Sequence, residues 1–153
     1  MTVLTRTLMF LAALLCICAA DPKAGEKPDQ QRIVGTWQFV SWLEDGKPRE
    51  IAEGFRLVVT EQAMVLGKKK DKEQDRTGFK YTIDPSKAPK QMDWIIELDP
   101  ARPIKQLAIY SIDDEVLKIC SAGAGKPRPT EFESKKGDFR ELWVLRRMLD
   151  VRK

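Results

Sequence analysis

Ile33–Leu43, IVGTWQFVSWL, is the first strongly apolar run of the chain outside its extreme N-terminus, and it carries a Gly-x-Trp, Gly35-Thr36-Trp37, near its head. β-Branched and aromatic residues at close spacing mark it as a strand from Val34 to Leu43. Its faces do not separate cleanly. Trp37, Phe39 and Leu43 alternate with Val40 and Trp42, so both faces are apolar. The preceding DQQRIV, expected to make one short helical turn with Pro28 near its start, is the candidate cover for the outer face.

Outward from this strand, the pattern is strand, turn, strand to the end. Asp45-Gly46 in EDGKP is a hairpin-type turn. Phe55–Thr60 and Ala63–Leu66 follow, divided by Glu61-Gln62, and then Thr77–Ile83. DPSKAPK interrupts the series, because proline cannot donate to a ladder. The cleanest strand is Gln91–Leu98, with Met92, Trp94, Ile96 and Leu98 on one face and Asp93, Ile95 and Glu97 on the other. Ile104–Ile112, Val116–Cys120 and Phe139–Met148 complete the set, the last after the Gly/Pro-rich SAGAGKPRPTEFESKKGD. Eight short strands with mostly short connections predict an all-β antiparallel up-and-down barrel. A β-sandwich is the alternative. Closure would remove the edges that invite aggregation.

The N-terminus has a different character. MTVLTRTLMFLAALLCICAA carries one charge, Arg6, then an apolar core of about ten residues, then small residues. A membrane-spanning helix needs about 20. Residues 1–20 are therefore expected to be a signal peptide cleaved after Ala20, giving a periplasmic or extracellular protein; a retained anchor is the alternative. Residues 21–32 form a tether and the short helical turn, and residues 33–149 the barrel domain. Cys16 and Cys18 leave with the signal, so Cys120 stands alone in the mature chain. With no histidine in the sequence to activate it, Cys120 reads as a buried small hydrophobe. The mature chain carries 26 Lys and Arg against 23 acids, which supports solubility and little more.

GTWQFVSWLEDGKP, YTIDPSKAPKQMDW, IYSIDDEVLKIC and GKPRPTEF, in that order, resemble a lipocalin-like domain family of unknown function found in exported planctomycete proteins. The resemblance runs from about Ile33 to Arg147 and implies a small β-barrel without implying an activity. The wider lipocalin group shares the Gly-x-Trp. There it implies a tryptophan at the closed barrel end beneath a basic side chain of the last strand. Gly35, Trp37 and either Arg146 or Arg147 are the matching positions of this plug. An indole face attracts a guanidinium by roughly 0.5–2 kcal/mol.

No catalytic constellation is visible. The absence of histidine excludes imidazole bases and imidazole metal ligands. Asp113-Asp114-Glu115 reads as a tight turn rather than a carboxylate pair or calcium loop. No cofactor or metal is expected. GKKKDKEQDR, Gly67–Arg76, has five basic residues and three acids but no aromatic for base stacking, so it reads as a solvated loop. Arg128 is stiffened by Pro127 and Pro129; it is either a presented cation or a pin pairing with an acid to hold the long connection down. Trp37, Phe39, Phe79, Tyr81, Trp94, Tyr110 and Trp143 either line a cavity or fill a core. Tyr81, Trp94, Tyr110 and Arg128 are the candidate ligand contacts. The expected function is non-catalytic binding of a small apolar or amphipathic ligand or of an envelope protein, by a monomer that touches membrane only through its signal and binds no nucleic acid. A secreted protease inhibitor acting through residues 21–27 and a carboxylate hydrolase are the alternatives.

Overall fold

The computed structural model describes residues 27–68, 77–97, 99 and 101–149. The expected signal and residues 21–26 of the tether lie outside these, as do Leu98 and residues 69–76 of the basic loop. Among the described residues no helix is long and apolar enough to cross a membrane.

A single turn of helix, α1 (Asp29–Arg32), precedes nine strands: β1 (Gly35–Glu44), β2 (Lys47–Pro48), β3 (Phe55–Val59), β4 (Ala63–Lys68), β5 (Thr77–Asp84), β6 (Gln91–Ile96), β7 (Ile104–Ile112), β8 (Val116–Ser121) and β9 (Glu141–Arg147). β1 pairs with β3, each strand from β3 to β9 pairs antiparallel with the next, and β9 returns to β1, closing a ring of eight. The up-and-down barrel expected from the strand spacing is what forms. β2 lies outside the ring and was not anticipated. Asp45 and Gly46 both take positive φ, 50° and 74°, the two-residue turn whose twist suits a hairpin. The returning strand gives only Leu43↔Pro48 and Glu44↔Lys47 before its proline ends the pairing.

The barrel has two unlike ends. At one lie α1, the start of β1 and the short β3–β4, β5–β6 and β7–β8 connections; at the other lie the β1–β2 hairpin and the longer loops. The half near α1 is solid. Trp37, Leu57, Met64, Leu117, Ile119 and Leu145 have no exposed surface, so no water-sized space adjoins them. Outside the ring, Ile109 and Cys120 face each other across β7–β8 and are also fully covered. Residues 122–140 fold over them, with Pro129 buried and Cys120 Sγ 3.4 Å from the Glu133 carbonyl. Burial pushes the Cys120 thiol above its ordinary range, as expected of an inert core cysteine.

The two apolar faces of β1 have a specific explanation. The β1–β9 register slips between Phe39 and Ser41, leaving Val40 as the extra residue of a bulge, 56% exposed. One inserted residue reverses the alternation. Trp42, which plain alternation places outside, therefore joins Trp37 and Phe39 on the inner face and stacks on Phe39 at 5.3 Å. The outer face of β1 thus needs no cover, and α1 does not provide one. α1 instead crosses the barrel end, where Ile33, just after it, is fully buried in the core.

Candidate functional site

The end beneath α1 is closed by Trp37. Its indole N–H donates to the Ile33 carbonyl at 2.9 Å, and the Arg147 guanidinium lies 4.2 Å from the ring centroid. Arg147 also donates to the carbonyls of Val34 (3.0 Å), Asp114 (3.3 Å) and Arg32, tying β9, β1 and α1 together. Gly35 makes this possible. Its φ is +144°, and a Cβ there would stand 2.7 Å from Arg147 Nη1. Arg146, one residue out of phase, is exposed on the outer face and takes no part.

Three of the four candidate contacts are engaged elsewhere. Tyr110 is buried and donates its hydroxyl to Asp29 Oδ2 at 2.7 Å; Lys90 Nζ reaches the same oxygen at 2.7 Å. Burial, reinforced by that carboxylate, drives the Tyr110 phenol far above its ordinary range, so it remains a neutral donor. Tyr81 is likewise buried and donates to the Thr60 carbonyl at 2.8 Å. Both hydroxyls face the closed end and serve to latch it. Arg128 is a pin rather than a presented cation. Its Nη2 is 2.6 Å from Asp93 Oδ1, and Nη1 bridges the Met92 and Ala108 carbonyls at 2.8 and 2.5 Å. The opposed pair Met92↔Ala108 thus shares one donor, and residues 122–140 are held against β6 and β7. Burial alone would raise the Asp93 carboxyl, but Lys105 and Arg128 outweigh it and hold it below the ordinary range.

Trp94 is buried too, its indole N–H donating to Met92 Sδ at 2.9 Å, but it belongs to a layer of rings toward the other end. Phe55, Trp42, Phe39, Trp143, Trp94 and Phe79 form an unbroken chain of contacts, with centroids 4.8–6.2 Å apart. Offset and edge-to-face pairs of this kind add about 0.5–1.5 kcal/mol each beyond burial. Trp42 and Phe55 keep partial exposure at this end, where Ile51 also packs against the core, while Phe39, Phe79, Trp94 and Trp143 are buried.

Two acids stand at this end, Glu44 exposed at the rim and Glu141 half-buried. Glu141 shares the inner face with Trp143 and Leu145 by simple alternation, and its Oε2 accepts the Trp143 indole N–H at 3.0 Å. The Trp42 indole nitrogen is buried and has no hydrogen-bond partner among the described residues. Burial, reinforced by the charge of Glu44, holds the Glu141 carboxyl above its ordinary range, and the Trp143 N–H, the Arg49 charge and the Trp42 indole recover only part of the difference. Sequence reading missed Trp42, Phe55 and Glu141 as site residues. For Glu141 the signal was there, two residues before a buried tryptophan in a strand.

On the outside, a shallow groove across β3–β4 is lined by Arg56, Val58, Val65, Gly67 and Lys68. Among the described residues no three acids or thiols converge as a metal site requires. The class defined by fold and site is therefore a closed eight-stranded antiparallel barrel, plugged at one end and floored with aromatic rings at the other. Comparison with protein-family models, curated proteins and solved structures finds no match to this chain.

Proposed function

We propose that the chain is an exported, non-catalytic binding protein of lipocalin-like type that takes one small apolar or amphipathic molecule at its open end. The observation that carries this reading is the asymmetry of the interior. One half is packed solid around a tryptophan plug, whereas the other ends in two partly exposed rings, Trp42 and Phe55, beside the opposed acids Glu44 and Glu141. Small-molecule sites are typically apolar and aromatic concavities with a few placed polar groups. Trp42 and Phe55 are the rings of the layer that keep surface for such a contact. The leader MTVLTRTLMFLAALLCICAA supports export.

A titration with the neutral dye 1-aminoanthracene tests it. Saturable one-to-one fluorescence enhancement is expected, weakened in Phe55→Ser at the mouth and unchanged in Val40→Ser on the outer face. Enhancement that never saturates, or that is lost equally in both variants, would count against a mouth site.

A further inference from the structure

A carboxylate withdrawn from water ordinarily carries a counter-ion, because desolvating a lone charge is expensive. Two other acids withdrawn from water obey this. Asp29 has Lys90 at 2.7 Å, and Asp93 has Arg128 at 2.6 Å and Lys105 at 2.8 Å. Glu141 does not. Among the described residues its 3.0 Å hydrogen bond comes from Trp143 with the Trp42 indole also close, and no Lys or Arg forms a direct ion pair with it, although the Arg49 charge offsets part of that of Glu44. The residue directly opposite in the β1–β9 register is a second acid, Glu44. Like charges at directly opposed positions destabilise a strand pair.

We propose that the open end recognises an organic cation, an ammonium or guanidinium head on a small apolar body, with Glu141 as its counter-ion. This rests on the binding reading above and adds the sign of the ligand's charge. The Trp42 and Trp143 rings, 5.2 Å apart and inclined at 61°, offer π surface beside the carboxylate. Cations over indole faces gain most where water is excluded. The chain supplies its own example. The Arg49 guanidinium sits 4.8 Å over the Trp42 ring and 2.9 Å from Glu44 Oε2. Arg49 and Glu44 are both about half exposed, so that pair is weak and readily displaced. Arg49 thus occupies the rim as a competitor for Trp42, and its charge reaches Glu141 without forming a direct ion pair with it. An inorganic cation fits poorly, since indole rings offer no lone pairs and two acids are too few ligands. An acceptor atom on the ligand near its cationic head would satisfy the buried Trp42 N–H.

The test uses the isotope-labelled mature chain and three probes that share one ring: benzylammonium, benzyl alcohol and benzoate. The four tryptophans each give one indole N–H signal in a nitrogen–proton correlation spectrum. Benzylammonium is expected to move the Trp42 and Trp143 signals saturably and leave Trp37 in place, with benzyl alcohol binding more weakly and benzoate least. Glu141→Gln should weaken benzylammonium about tenfold or more, the scale of a hydrogen bond to a charged group, while benzyl alcohol is unaffected. Arg49→Ala should tighten it. Equal shifts by all three probes, or insensitivity to Glu141→Gln, would overturn the charge assignment and leave the binding reading standing. No mouth shift with any probe would overturn the charge assignment, and the dye titration then decides whether the mouth binds at all.

Discussion

Removing the plug should be the most damaging single change in the protein. Trp37 has no exposed surface, and Trp37→Ala empties a space bounded by Ile33 and the Arg147 guanidinium. Large-to-small changes at buried aromatic sites cost about 3–5 kcal/mol. Two further losses push toward the upper end. The Ile33 carbonyl loses its donor, worth about 1 kcal/mol, and Arg147 loses the ring it rests on. A loss of about 4–5 kcal/mol is a large part of the stability of an ordinary domain. At roughly 4 °C per kcal/mol for a domain of this size, the Tm should fall by about 15–20 °C. Thermal and urea unfolding followed by far-UV circular dichroism measures this. A variant melting within about 1 kcal/mol of the parent would refute the plug, because no relaxation of a site tied to three carbonyls restores that much packing.

The two adjacent arginines should part company in the same assay: Arg147→Leu strands the Val34 and Arg32 carbonyls and loses about 2–4 kcal/mol, while Arg146→Leu on the exposed face changes stability by less than about 0.5 kcal/mol. Asp93 should shape the acid limb of stability. Its carboxyl lies below the ordinary range in the fold, so its stabilisation is present above about pH 4 and fades as pH falls through the folded value; Asp93→Asn should flatten that limb. Glu141 should act with the opposite sign. The folded state binds its proton more tightly, so stability rises as pH drops from neutral through the folded value toward about pH 4, and Glu141→Gln should abolish this rise and be the more stable protein at pH 7. A thiol reagent should label Cys120 only as fast as the chain unfolds, because residues 122–140 and the Glu133 carbonyl cover it.

Much of the barrel was legible because a strand's alternation is local. Met92 and Trp94 in β6, Phe79 and Tyr81 in β5, and Trp143 and Leu145 in β9 all face the core as their spacing demands. Strand ends also fell within about two residues, since Asp, Gly and Pro mark them chemically. The ambiguity at β1 had a different origin. Nothing in FVSW announces that Val40 is the inserted residue, because a bulge is fixed by pairing with β9, roughly a hundred residues downstream. Without the bulge Trp42 faces outward, and half of the mouth disappears from view. Arg128 presents the same difficulty in another form. Its rigidity was visible in PRP, but its partner Asp93 lies 35 positions away on another strand. The tyrosines were chosen for amphipathic rings, and what removes them from the mouth is where their hydroxyls reach, Thr60 for Tyr81 and Asp29 for Tyr110. Helix α1 was read correctly as a turn and placed wrongly, because its tie to the barrel end runs through Tyr110, Lys90 and Arg147.

The central claim is that the ring-floored end holds a small molecule. Native mass spectrometry of the protein purified from its native source tests it most directly. Expected is a population heavier than the free chain by one small, positively charged organic molecule, released on gentle activation and absent from a protein carrying Phe55→Ser and Glu141→Gln. A single ligand-free mass, together with an experimental structure whose open end is filled by the protein's own side chains, would contradict it.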